Sequence, residues 1–192
     1  MAMVNSYTGF VPTPTKTSLD AIVLAGRELL EAEGLAGLTM QAVAHHVGVR
    51  APSLYKRVQN RDKLIQLVAE ATLAELTFRL EEACDFLDLA NRFRAFCRER
   101  PAAFQLVMTP GAGVPVAGEK FGAAASAPVL RMARELAGES HALEAARTMT
   151  AWVTGFISME LNGSFRLGGD TEEAWQFGTA RIIKAITAGS SS

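Results

Sequence analysis

Between Leu38 and Lys63 the chain reads LTMQAVAHHVGVRAPSLYKRVQNRDK, and few folds accommodate that order of residues. Val43, Ala44 and Val47 recur at helical spacing, then Gly48 interrupts them. Glycine takes positive φ at little steric cost, so it ends one helix and turns the chain. Val49 is apolar and plugs the turn into a core. Pro52 fits the first turn of a new helix, where its missing amide is not needed. Leu54 and Val58, four apart, anchor that second helix. Thr39 stands where a hydroxyl accepts a bond from an orphan amide of the first helix, and Asn60 and Asp62 suit the start of a third. The spacing therefore predicts two short helices crossing at a tight turn, a helix-turn-helix, with a longer helix after it.

The same 26 residues hold Arg50, Lys56, Arg57, Arg61 and Lys63 against one acid, Asp62. That is +4 in a chain whose formal total is -1, so the remainder sums to -5. A basic helical segment on an acidic body is the electrostatic footprint of double-stranded DNA binding. Each polar side chain has a task there. Thr39 and the amides near it meet a phosphate. Tyr55, Lys56 and Arg61 have the reach and the donors for phosphates, and Arg57 joins them on the outer face. Arg50 spans to a base edge, ideally guanine, through a bidentate pair. Ser53 and the flat surface of Ala51 and Pro52 lie against base edges or a thymine methyl.

At these residues the chain resembles the N-terminal domain of the TetR family of bacterial transcriptional regulators. The resemblance is carried by Leu38-Thr39, Ala44, Gly48-Val49, Ser53-Leu54-Tyr55, Val58 and Asn60 through Leu64. The preceding LDAIVLAGRELLEAEG and Gly37 fit as well. It spans roughly residues 18 to 70. It implies that Gln41, Ala51, Pro52 and Ser53 touch bases and that Thr39, Tyr55, Lys56 and Arg61 touch phosphates. Val58 stands where members often carry an aromatic, and the operator sequence does not carry over. A second stretch, AWVTGFISMELNGSF, is similar to a Trp-His-Gly segment in the C-terminal domains of one branch of the family. Here Thr154 stands in place of that His.

The rest of the chain reads as helix after helix. The first helix runs from about Ser18 to Glu33, with Ile22, Ala25, Gly26, Leu29 and Leu30 on one stripe. A long helix starts at Asn60 and ends near Arg79, with Leu64, Leu67, Val68, Ala71, Ala74 and Phe78 at helical spacing. Further helices are expected over 85–99, 101–108, 126–138 and 139–161, and a last one capped by Thr171 with Glu172 and Glu173 in its first turn. TPGAGVPVAG, residues 109–118, is a loop, mobile enough to control access to a cavity. No strand alternation occurs. The expected fold is all-α with about nine helices. It divides into a turn-rich arm (1–17), a DNA-binding domain (18–63), a larger helical ligand-binding and dimerisation domain (64–188) and a tail (189–192).

For that larger domain the resemblance implies a small-molecule cavity, for which Phe93, Phe96, Phe104, Val107, Met108, Phe121, Trp152, Phe156 and Met159 supply soft and aromatic surface. Few charges accompany them, so the expected effector is mainly apolar. The last two helices form an antiparallel pair. The resemblance implies that this pair meets its copy in a four-helix bundle, with Ala145, Met149, Trp175, Gly178, Ile182 and Ile186 as interface candidates. Duplication also suits a single helix-turn-helix, which buries little surface on DNA alone.

An apolar fraction of 49% supplies a substantial core. No apolar run approaches the ~18 residues of a membrane span. The first residues lack a charged start and an apolar core segment, so no signal peptide is read and a cytoplasmic location is expected. Cys84 and Cys97 imply no disulfide framework. His45 and His46 are adjacent on a helix and cannot form an i,i+4 metal pair, and His141 is alone, so no metal or other cofactor is expected. Gly111-Ala112-Gly113 follows no strand and is no nucleotide fingerprint. Ser126, Ser158 and Ser164 have no His and acid beside them in a nucleophile pattern. The sequence thus points to a homodimeric repressor that binds an inverted-repeat operator and is released by a small apolar molecule. The alternatives are an all-α small-molecule-binding or enzymatic protein using the helix-turn-helix as scaffold, and a ligand-independent activator.

Overall fold

The side chain of Ser18 starts the first helix as a capping residue should: its Oγ accepts from Ala21 N at 3.1 Å. The computed structural model describes residues 18–189; the expected arm (1–17) and most of the expected tail (190–192) lie outside the described residues. Helix α1 (Leu19–Gly37) buries Ile22, Ala25, Gly26, Leu29 and Leu30 along one face. Its regular turn breaks at Gly34, whose φ of 69° lies in the left-handed region.

Helix α2 (Met40–His46) is capped by Thr39, whose Oγ1 accepts from Ala42 N at 3.1 Å. Gly48 then takes a φ of 71°, and Val49 N returns to Ala44 O at 2.9 Å, which closes the turn. Helix α3 is short (Ala51–Leu54), and two amides, Arg57 N and Val58 N, both donate to Leu54 O to wind the chain one turn further. Leu54 and Val58 are fully buried. Asn60 caps α4 (Arg61–Glu81), accepting from Lys63 N at 2.8 Å. Capping and apolar spacing therefore specify this half of the molecule locally.

Five more α-helices follow: α5 (Phe86–Glu99), α6 (Pro101–Met108), α7 (Glu119–Ala137), α8 (Ala142–Leu161) and α9 (Thr171–Gly189), with a 3₁₀ turn over Glu139–His141. Among the described residues the fold is all-α, with nine α-helices and no strand. Three expectations need correction. Helix α7 begins at Glu119, not Ser126, because it runs straight through Pro128. A helix-interior proline forfeits a hydrogen bond, but here the ring is buried and the alanines before it favour helix. Asp170, not Thr171, caps α9, with Oδ1 accepting from Glu172 N at 2.7 Å. Phe78 is 70% exposed, because the buried line of α4 passes through Thr72, Leu76 and Leu80 instead.

That line matters because α4 belongs to two cores. Its first half packs with α1, α2 and α3, joined by Ala103 and Leu106 of α6. Its second half packs with α5, α7, α8 and α9. The close approach of α8 and α9 is set at Gly178. A Cβ built there would overlap Cζ2 of Trp152, a ring that stacks on Trp175 at 5.4 Å. Gly178→Ala forces that rigid ring aside, so denaturant unfolding should report a loss of about 1–3 kcal/mol, the usual cost of overpacking. An unchanged midpoint would mean the two helices separate freely.

Candidate functional site: a basic helix-turn-helix face and an apolar cavity

The turn at Gly48 presents one continuous exposed surface. Gln41, Arg50, Pro52, Tyr55, Lys56 and Arg57 are exposed on it, and Thr39, Ala51 and Ser53 are half-buried. Tyr55 is 54% exposed although it adjoins the fully buried Leu54. Arg61 departs from the expectation of a free phosphate donor. Its Nε donates to Leu38 O at 2.8 Å and its Nη2 to Leu35 O at 2.5 Å, so it ties the start of α4 to the α1–α2 connection. The N–H groups of Nη1 and the second N–H of Nη2 remain for a phosphate. His46, which spacing alone left without a role, lies 2.7 Å from Glu28 through Nε2 and Oε2 and pins α2 to α1.

A cavity of about 850 Å³ lies within the second core, between α4, α5, α6, α7 and α8. Three of the nine expected residues line it: Phe93, Val107 and Met108. The others do not. Phe96 and Phe104 are core at 0% and 2% exposure, and Phe104 meets Phe93 edge-on at 6.1 Å. Phe121 is half-buried beneath the Lys120 ammonium. Trp152 and Phe156 leave the cavity to pack on Trp175, at 5.4 and 5.1 Å. Met159 is 46% exposed. Most of the large aromatics named from the sequence fill the core instead, because their size suits close packing. Phe93 and Phe86 of α5 line the cavity, and aliphatic residues supply most of the other walls: Leu73, Leu76 and Leu80 of α4, Leu89 of α5, Val129 and Leu130 of α7. On α8 the wall is mixed: Thr150, Thr154 and Ser158 stand among Leu143, Ala146, Met149 and Val153. The Thr154 hydroxyl is buried with no hydrogen-bond partner.

The expected interface residues are placed differently again. Ala145, Met149 and Trp175 are buried inside the chain at 6%, 0% and 1% exposure, and Met149 lines the cavity. None of the three is free to meet a second chain. Gly178 faces Trp152, and Ile182 and Ile186 are half-buried against the same core. These residues share an apolar face, and that face covers the chain's own core. The exposed large apolar side chains on α8, α9 and their connection are Leu143, Met159, Phe165, Leu167 and Phe177.

Beside Trp175 lies a cluster that sequence reading missed. Arg94 of α5 is 4% exposed. It grips Glu160 of α8 with Nε and Nη2, at 3.0 and 2.6 Å, and Glu172 of α9 with Nη1 at 2.7 Å. Its guanidinium also lies 4.7 Å from the Trp175 ring centroid. The Arg94 hydrogen bonds hold the Glu160 carboxyl below the usual carboxylate range against the opposing effect of burial, with Arg98 assisting. No local pattern announces this set, since its members are 66 and 78 residues apart.

Two polar connections join the reader to the cavity walls. The Glu31 carboxylate of α1 accepts from Ala102 N and Ala103 N, at 3.1 and 2.9 Å, at the positive end of α6. Helix α6 ends in the cavity at Val107 and Met108. Arg27 of α1 pairs with Glu75 of α4, which also holds Arg79 at 2.7 Å. Burial, with Arg100 and Arg79 nearby, lowers Arg27 from its usual range. The loop 109–118 contributes to the same junction rather than swinging free. Val114 and Ala117 pack on the reader core, and Gly118 N donates to Glu70 Oε1 at 3.3 Å. Cys84 and Cys97 are both free. Among the described residues no cluster of His, Cys, Asp or Glu could hold a metal, and no helix is long and apolar enough to cross a membrane.

Comparison with known proteins agrees with this geometry. The family described as bacterial regulatory proteins, tetR family, matches residues 22–68. A tetracyclin repressor-like C-terminal domain matches residues 86–182, half of the chain. The class E tetracycline repressor protein of Escherichia coli is 37% identical over 60 residues, 31% of this chain and 28% of that protein. The chain thus spans under a third of that repressor's length. An uncharacterised HTH-type transcriptional regulator of Mycobacterium tuberculosis is 28% identical, covering 80% of this chain and 74% of its own. Among solved structures, a protein of unknown function from Rhodococcus sp. RHA1 superposes with a TM-score of 0.75 at 19% identity, covering 94% and 99% of the two chains. A TetR variant from Acinetobacter baumannii AYE, in complex with minocycline, does so at 0.65 and 23% identity, over 91% and 99%. Reader, cavity and the two matched regions together establish that this chain belongs to the TetR family of transcriptional regulators.

Proposed function

We propose that the protein is a homodimeric repressor that binds an inverted-repeat operator and is released when a small, mainly apolar effector occupies the cavity. The observation that carries this reading is α4. This single 21-residue helix begins beside the basic face, at Arg61, and forms one cavity wall through Leu73, Leu76 and Leu80. At 1.5 Å per residue it spans about 30 Å. A shift of its far end therefore moves the reader. In a dimer, DNA binding requires two recognition helices about 34–36 Å apart, in successive major grooves. An effector that prefers a conformation with another separation lowers DNA affinity, and only its preference between the two states counts. The reading is supported by the tetracycline repressors that the reader matches and by the minocycline-bound structure that shares the fold. The exposed Phe165, Leu167 and Phe177 beside the α8–α9 pair are the apolar surface we assign to the second copy.

Selection of bound sequences from randomised double-stranded DNA by the ligand-free protein tests the reader directly. Enrichment of an inverted repeat is expected. Absence of enrichment at low salt would leave the helix-turn-helix as scaffold and the reading without support. The connection through Glu31 has its own test. Glu31→Ala removes both bonds to α6, and two hydrogen bonds to a charged acceptor make a loss of about 1–3 kcal/mol the expected cost in stability. The ratio of operator affinities without and with effector should shrink towards one, while ligand-free operator affinity changes little. A retained ratio would show that coupling runs through α4 alone.

A further inference from the structure

Fourteen arginines occur in the chain, all within the described residues. Three of their side chains, those of Arg50, Arg57 and Arg147, make no ion pair, hydrogen bond or ring contact among the described residues. The first two lie on the basic reader face. The third lines the cavity, and among the described residues it is the one charged residue that does so. Arg147 both lines the cavity and is exposed, so it belongs to the cavity's solvent-facing edge rather than its interior. The next polar groups follow on the same helix face: Thr150, Thr154 and Ser158 succeed it at steps of three, four and four, the spacing of one helical stripe. None of these three hydroxyls is bonded within the protein. That sets them apart from Thr72, Thr77, Thr148, Thr179 and Thr187, each of which donates to the carbonyl four residues back. Thr154 is the extreme case, since its hydroxyl is also buried. The facing walls of α4 and α5 are apolar throughout.

An unpaired cation at the mouth, a row of unpaired hydroxyls behind it and hydrocarbon opposite form a complementary surface for one kind of molecule. We propose that the effector is an amphipathic acid. Its carboxylate pairs with Arg147, its apolar body lies against Leu73, Leu76, Leu80 and Phe93, and an oxygen further along the body meets Thr154. Arg147 and Thr154 are seven residues apart, about 10 Å along the helix axis, so the two polar groups of the effector are separated by a comparable length of apolar skeleton. Guanidinium–carboxylate recognition is charge-assisted and bidentate, and it adds discrimination that a purely apolar pocket lacks. This inference rests on the reading of the cavity as the effector site, and it replaces a purely apolar effector with an anionic one.

Isothermal titration of the purified full-length protein with decanoate, decan-1-ol, decylammonium and 10-hydroxydecanoate tests it. Decanoate should bind at least about 10-fold more tightly than decan-1-ol, and decylammonium most weakly, following the worth of a charge-assisted pair. Arg147→Gln should bring decanoate within about twofold of decan-1-ol while leaving decan-1-ol unchanged. 10-Hydroxydecanoate should exceed decanoate, and Thr154→Val, which keeps the shape and removes the hydroxyl, should erase that gain. Equal binding of acid and alcohol, or a preference that survives Arg147→Gln, would overturn the amphipathic-acid assignment and leave an apolar effector site standing. If none of the four binds to a protein that still selects an operator, the effector-site reading fails along with it.

Discussion

Arg94→Ala is expected to destabilise the protein by about 3–5 kcal/mol at neutral pH, the range for removing one partner of a buried ion pair. Glu160 is only 12% exposed and would lose both of its bonds to Arg94. Arg98, itself half exposed, would be left as its sole ionic partner. The pH dependence separates this electrostatic role from simple loss of packing. The Glu160 pKa is depressed in the folded protein, chiefly by the Arg94 hydrogen bonds. A depressed carboxyl contributes stability that is present above its unfolded value, about 4.5, and lost as pH falls through the folded value. Wild-type stability should therefore decline as the solution is acidified below about pH 4.5, and Arg94→Ala should flatten that decline. Urea midpoints measured from pH 7 down to pH 3 for both proteins decide the matter. Parallel curves would mean that Arg94 acts by filling space over Trp175. Because Arg94 holds α5, α8 and α9 together, the same variant should also weaken the proposed self-association in sedimentation.

Arg50→Ala should reduce operator affinity more than any other single change on the reader face. Arg50 is exposed, unpaired and placed at the start of α3, the part of a recognition helix that reaches base edges. Loss of a bidentate base contact costs about 1–3 kcal/mol, and the proposed homodimer would lose it twice. The expected loss is thus about 2–6 kcal/mol, between roughly 30-fold and 10⁴-fold in affinity. Selectivity at one base pair of each half-site should relax. Lys56→Ala should behave otherwise: weaker binding to every sequence and a salt slope smaller by roughly one unit for each copy's lost phosphate contact. Fluorescence anisotropy on the selected operator at several salt concentrations distinguishes the two. If Arg50→Ala weakens all sequences equally, Arg50 contacts phosphate and base reading falls to Gln41 and Ser53.

The reader half was legible because its instructions are local. Thr39, Gly48, Pro52 and Asn60 each act within four residues of themselves, and the structure uses three of them as the caps and turn that their chemistry implies. The exposed basic face follows from the same periodicity that buries Leu54 and Val58. The expected helix count and the all-α class follow for the same reason. Even here Arg61 was misread, because its two carbonyl acceptors lie 23 and 26 residues upstream and only the folded chain brings them within reach.

The cavity and the C-terminal surface were legible only in outline. Periodicity found the apolar stripes of α4, α8 and α9 but could not say which neighbour covers each one. Met149 and Trp175 turned inward, Phe177 was left outside, and Trp152, Phe156 and Trp175 packed on one another while leucines supplied much of the cavity wall. An apolar side chain carries no address, since the hydrophobic effect is non-directional and rewards any burial. The sequence by itself determined the local elements, the reader and its charge. Tertiary packing alone decided where empty space remained, which hydroxyls were left unpaired beside it, and that Arg94 and Glu160 should meet across 66 residues, because each of these depends on how several helices share one volume.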